Sequence, residues 1–140
     1  MLTKKTKYAL KALIHLAAQD PERTVLIAEI ARDENVPRKF LELILLELKR
    51  HGILESRKGR GGGYRLGKPP GEISLGRVIR LMGGPLAPLP CVSETAYQRC
   101  EECDDERTCE IRRVMKVVRD QTARILDGTT LADFLSGGKS

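Results

Sequence analysis

Apolar residues recur at helical spacing along most of the chain, and the breaks between the periodic stretches fall at proline, glycine or asparagine. In residues 3–18, Ala9, Leu13, Leu16 and Ala17 form one stripe while Lys4, Lys7 and Lys11 lie on another face, which predicts an amphipathic helix ended by Asp20-Pro21. A short second helix is predicted over residues 28–34, closed by Asn35, a residue that tolerates a left-handed C-cap. Pro37 suits the first turn of a third helix. Phe40, Leu41, Ile44, Leu45 and Leu48 supply its buried face, and Gly52 closes it.

Two helices joined by a tight turn, the second opening with exposed polar residues, predict a helix-turn-helix. Residues 53–57 then read as a strand, Lys58-Gly59-Arg60-Gly61-Gly62-Gly63 as a hairpin tip and Tyr64-Arg65-Leu66 as the returning strand. A basic, glycine-rich hairpin after such a helix is expected to be a wing. Glycine lets backbone approach a phosphate or a narrow groove, and Arg57, Lys58 and Arg60 supply positive charge. A phosphate-binding nucleotide loop is excluded, because no helix follows and the GK[ST] ending is absent.

Pro69-Pro70-Gly71 forms a break, after which Ser74 caps a helix with an apolar face of Leu75, Val78, Ile79 and Met82, stapled by Ile73. Residues 86–108 show no periodicity. Residues 110–127 return to helix, with Ile111, Val118 and Ile125 seven apart and Val114, Met115 and Leu126 filling in. That stripe is wider than a lone helix needs and little chain remains to cover it, so a second subunit is the expected cover. Ile111, Val114, Met115, Val118 and Ile125 are the expected dimer contacts. Gly128 ends this helix and Thr130 caps a last one over residues 131–135.

The 140-residue chain has no tryptophan and 4% aromatics, so its core must be aliphatic. No apolar run could span a bilayer and no signal peptide is recognisable, which predicts a cytoplasmic protein. The net charge of +6 is unevenly placed: residues 1–82 hold 17 Lys/Arg against 9 Asp/Glu, and residues 83–140 hold 8 against 10. A basic first half joined to a slightly acidic second half suggests a polyanion-binding module with something attached.

Four cysteines, Cys91, Cys100, Cys103 and Cys109, lie within 19 residues with spacing C-x8-C-x2-C-x5-C. Disulfides are disfavoured in a reducing compartment. A redox-active Cys100/Cys103 pair is disfavoured by Glu101, Glu102, Asp104, Asp105 and Glu106, since negative neighbours raise a thiol's pKa. Metal ligation fits best, and four thiolates suit either zinc or an iron–sulfur cluster. Zinc sites usually pair two short C-x2–4-C units. Only one such unit exists here, so the spacing leans toward a cluster.

The segments LTKKTKYALKALIHLA, VPRKFLELILLELKRHGIL, SRKGRGGGYRLGK, ISLGRVIRLM and TTLADFL, together with the cysteine loop, resemble the Rrf-two family of winged-helix regulators, of the IscR, NsrR and CymR types. The resemblance covers nearly the whole chain. It implies a homodimer bound to double-stranded DNA, with Arg38, Lys39, Phe40 and Glu42 facing the major groove and Lys58, Gly59 and Arg60 at the minor-groove wing tip. In cluster-binding members three cysteines hold the cluster, and Cys91, Cys103 and Cys109 match that pattern. Where the family supplies a fourth ligand, this chain has Arg112 in place of a histidine and Lys7 in place of an acid, which leaves Cys100 as the candidate.

The expected fold is mainly α with a small β wing: a winged helix-turn-helix plus a long C-terminal dimerisation helix. The expected units are a DNA-binding domain at 1–82, a cysteine-rich sensor loop at 83–109, and a dimerisation helix with a short last helix at 110–140. The expected function is a sequence-specific transcription regulator, a repressor, controlled by a [2Fe-2S] or [4Fe-4S] cluster. The alternatives are a cluster-free regulator with structural zinc, a thiol switch, or a small-molecule or partner-protein signal. No nucleophile–base set is visible, so an enzyme is not expected.

Overall fold

Thr3 opens the first helix, α1 (Lys4–Ala17), by accepting the Thr6 amide on its hydroxyl at 3.1 Å. A computed structural model describes residues 2–59 and 62–136. Asn35, with φ of 54°, ends α2 (Ile27–Glu34) in the left-handed region. Pro37 precedes α3 (Arg38–Arg50), and α2 and α3 form the helix-turn-helix. Strands β1 (Leu54–Arg57) and β2 (Gly63–Leu66) pair antiparallel, with Leu54 opposite Leu66 and Arg57 opposite Gly63.

Val25 adds one isolated antiparallel bridge to this wing, at Tyr64 of β2. Its amide and carbonyl exchange two hydrogen bonds with Tyr64, both 2.8 Å. That approach explains Gly63: its φ is 133°, and a Cβ there would overlap the Val25 carbonyl. Gly62 is constrained too, since a Cβ would overlap the Arg57 carbonyl. Two of the tip glycines therefore serve the hairpin itself.

Helix α1 is the hub of the core. Its Ala9, Leu13 and Leu16 pack in one cluster with Ile30, Leu41, Leu45, Leu48, Ile53 and Val78. Phe40, expected in the buried face of α3, is instead 41% exposed. One position before Leu41 it is rotated about 100° out of the stripe. Its ring meets Tyr8 of α1 edge-on, with centroids 5.5 Å apart.

Ser74 caps α4 (Leu75–Gly83) by accepting the Arg77 amide. The next segment, 84–109, contains two short 3₁₀ turns, Pro90–Val92 and Glu106–Thr108, and leads into α5 (Glu110–Asp127). The last helix, α6 (Leu131–Ser136), returns to the core: Leu131 is fully buried and its amide donates to the Ile73 carbonyl at 3.1 Å. Asp133 accepts the Thr130 amide on its carboxylate at 2.8 Å, so the acid satisfies the start of this helix.

Helix α5 buries no residue fully in the single chain. Its far end is held by Asp127, whose carboxylate takes two guanidinium bonds from Arg80 of α4, at 2.7 and 3.0 Å, above Gly76. Hydrogen bonding to Arg80 lowers the Asp127 pKa below its ordinary value of 3.8. A depressed folded-state pKa adds stability at neutral pH that disappears as pH falls through it. Because both groups are partly exposed, the gain is modest. Asp127→Asn is expected to speed amide exchange in the last turns of α5 at neutral pH, and the difference from wild type should vanish in acid.

Candidate nucleic-acid interface and cysteine loop

The first turn of α3 points outward because its buried stripe, Leu41, Ile44, Leu45 and Leu48, faces α1. Arg38, Lys39 and Glu42 are exposed there, and Phe40 is exposed at the edge where its ring meets Tyr8. Glu42 lies 3.6 Å from the Arg38 guanidinium, an exposed i,i+4 pair, so in the free chain it tempers the positive charge. Leu43 and Leu46 are exposed on the same helix, and neither was anticipated as a site residue. They sit outside the buried stripe, which is the one signal in the sequence that could have found them. Surface apolar groups on such a helix can read a thymine methyl.

On the wing, Arg57, Lys58 and Gly59 are exposed, and the Gly62 amide donates to the Gly59 carbonyl at 2.9 Å across the tip. Gly59 has φ of 88° and open space where a Cβ would be, so its conformation rather than crowding favours glycine. Arg60, also expected at this tip, lies outside the described residues.

The cysteine loop is anchored where it begins. Cys91 is buried, and its carbonyl accepts from the Arg112 guanidinium of α5 at 3.2 Å. Arg119, two turns further along the same face, donates to the Val92 carbonyl at 2.8 Å and is itself only 15% exposed. Arg112, which stands in place of the family's histidine ligand, thus ties the loop to the helix. Cys109 is the N-cap of α5, its sulfur accepting the Arg112 amide at 3.4 Å.

Cys103 lies near both Cys109 and Cys100. Partial desolvation, then the proximity of Cys109 and Cys100, raises the Cys103 pKa, and a turn links the Cys103 amide to the Cys100 carbonyl at 3.3 Å. The cause is burial and sulfur, not the acidic run. Two of those acids are engaged elsewhere: Asp105 with Arg107, and Glu106 with the Tyr97 hydroxyl. Arg99 bonds the carbonyls of Cys103 and Asp104, both at 3.1 Å.

Among the described residues, no three of these sulfurs lie within 4.8 Å of one another. One zinc ion, with sulfur at about 2.3 Å, would need them about 3.8 Å apart. The donor set is four cysteine sulfurs, which as thiolates would suit iron–sulfur chemistry.

Along α5, Ile111, Val114, Val118 and Ile125 form an exposed apolar seam, while Met115 is half-buried at its edge. No helix of the described residues is long and apolar enough to cross a membrane.

Comparison with known proteins matches residues 2–137 to the Rrf2 family model, described as an iron-dependent transcriptional regulator. A protein of Rhodobacter capsulatus named as an rrf2-like HTH-type transcriptional regulator is 45% identical over 99% of this chain and 94% of its own length. The HTH-type transcriptional regulator NsrR of Geobacillus kaustophilus is 35% identical, over 96% of this chain and 88% of its own length. Among solved structures, CymR (YrzC), the global cysteine regulator of B. subtilis, superposes with a TM-score of 0.80 at 29% identity, covering 97% of this chain and 96% of that one. These relatives are transcriptional regulators, not enzymes.

Proposed function

Because this chain belongs to the Rrf2 family of DNA-binding transcriptional regulators, we propose that it is a cytoplasmic repressor, that it grips DNA as a homodimer, and that an iron–sulfur cluster in the cysteine loop sets that grip. The observation that carries the reading is the attachment of the loop to α5: Arg112 and Arg119 hold its beginning, and Cys109 caps the helix at its end. Cys91, Cys103 and Cys109 would hold the cluster, with Cys100 as fourth ligand. When bound, it supplies a centre labile to oxidants, nitric oxide or iron shortage.

The chain's own residues make the coupling. Ordering of the loop fixes the Cys91 and Val92 carbonyls on the two arginines and so fixes the head of α5. Helix α5 packs on α4, and α4 on α1, the hub beneath the recognition helix. A switch through such contacts needs only a few kcal/mol of difference between two arrangements. A sulfur spacing wider than one ion requires favours a cluster over structural zinc.

Arg38, Lys39, Phe40 and Glu42 read the major groove in this proposal, and Arg57, Lys58 and Gly59, with Arg60, serve the wing. Anoxically purified protein is expected to be coloured and to carry iron and acid-labile sulfide; colourless, iron-free protein would count decisively against the cluster. The DNA half is tested separately. Lys58→Ala should weaken operator binding and lower the slope of log affinity against log salt by about one. An unchanged slope would remove Lys58 from the interface.

A further inference from the structure

Away from both the wing and the cysteines, α1 and α2 enclose a histidine among three acids. The His15 side chain is 9% exposed, and its Nδ1 lies 3.0 Å from Glu34 Oε2. A carboxylate only accepts, so Nδ1 carries the proton in this pair. The other ring nitrogen, Nε2, is buried without a hydrogen-bond partner. It faces Glu29 Oε2 at 3.8 Å and Asp33 Oδ2 at 4.0 Å.

We propose that His15 Nε2, Glu29 and Asp33 form a binding site for a divalent transition-metal cation of the zinc class. One donor atom from each residue lies within 4.8 Å of the others, and ligand bonds of about 2.0–2.2 Å require only a small inward rotation of two surface carboxylates. One imidazole and two carboxylates suit zinc or another borderline cation, and their two negative charges balance its two positive ones. Glu34 supplies the outer support that metal-bound histidines usually have, fixing the tautomer that leaves Nε2 free to ligate. Arg23, which bonds both Glu29 oxygens at 2.8 and 3.0 Å, is the competing cation and would have to swing aside. Asp33 likewise pairs with Arg32 at 2.8 Å on the surface.

A cation here would clamp α1 to the first helix of the helix-turn-helix. The inference is independent of the cluster proposal, because none of its ligands is a cysteine.

The test is a zinc titration of the full chain followed by long-range proton–nitrogen spectra of the imidazole rings. The chain has only two histidines, so His51→Gln assigns the signals without ambiguity. Zinc taken up by thiols leaves the His15 ring unmoved and is thereby told apart. The expected result is a shift of His15 Nε2 with Nδ1 still protonated, with affinity lowered by tenfold or more in Asp33→Asn and in Glu29→Gln, and about 10–100-fold in Glu34→Gln. An Nε2 that does not respond at saturating zinc, or that is a protonated imidazolium displaced only by pH, would overturn the proposal. So would equal affinity in Asp33→Asn.

Discussion

Replacing Val118 with Asp is expected to convert the proposed dimer to a monomer and to lower DNA affinity with it. Val118 sits in the middle of the α5 seam, between Ile111 and Ile125, which are 66% and 63% exposed in the single chain. Side chains of that size leave water only if a second copy covers them, and burying them is worth about 25 cal/mol per Å². A carboxylate at the centre of the joined seam would be desolvated without a partner. Even about 3 kcal/mol of that penalty weakens association by about a hundredfold. The protomer should keep its fold, because Val118 is 42% exposed before any partner arrives. Helix-turn-helix dimers read two half-sites together, so a monomer loses the second recognition helix and wing. Light scattering on the variant, beside far-UV circular dichroism, provides the check. An unchanged dimer mass would mean that the subunits meet elsewhere.

How far the chain could be read in advance depended on whether a feature was local. The caps Asn35 and Ser74 are written in single residues with one dominant conformational use, and the structure has them where they were expected. The exposed seam of α5 followed from a seven-residue repeat. What stayed hidden was set by partners distant in sequence. Val25 looks like one apolar residue in a turn until Tyr64 comes beside it, and Gly63 then acquires a steric reason. Leu131 belongs to the core only because Ile73 is brought to it. His15 carries no local sign of its acid cage, since Glu29, Asp33 and Glu34 arrive from another helix. The cysteine loop was legible as a ligand set by composition, yet its attachment through Arg112 and Arg119 was not. Arginine is so often a solvated surface residue that nothing short of the folded contact distinguishes these two.

Cys109 offers the sharpest separation of ligand from scaffold. Its sulfur caps α5 through the Arg112 amide, and in the proposed function it also holds the cluster. Serine can do the first better than cysteine, because a hydroxyl oxygen is a strong N-cap acceptor. It is a poor substitute for a soft thiolate on iron. Cys109→Ser is therefore expected to yield a folded protein with the melting temperature of cluster-free wild type, colourless, free of iron and sulfide, and locked in the DNA-binding behaviour of the cluster-free form. Cys109→Ala removes both functions. It should lose the cluster equally and also lose about 1 kcal/mol of helix stability, seen as a drop of a few degrees in melting temperature. Anoxic iron and sulfide analysis, thermal melts and DNA retardation on the two variants together make the check. If Cys109→Ser retained a full complement of iron, Cys109 would be a capping residue alone, and the ligands would have to be sought among Cys91, Cys100 and Cys103.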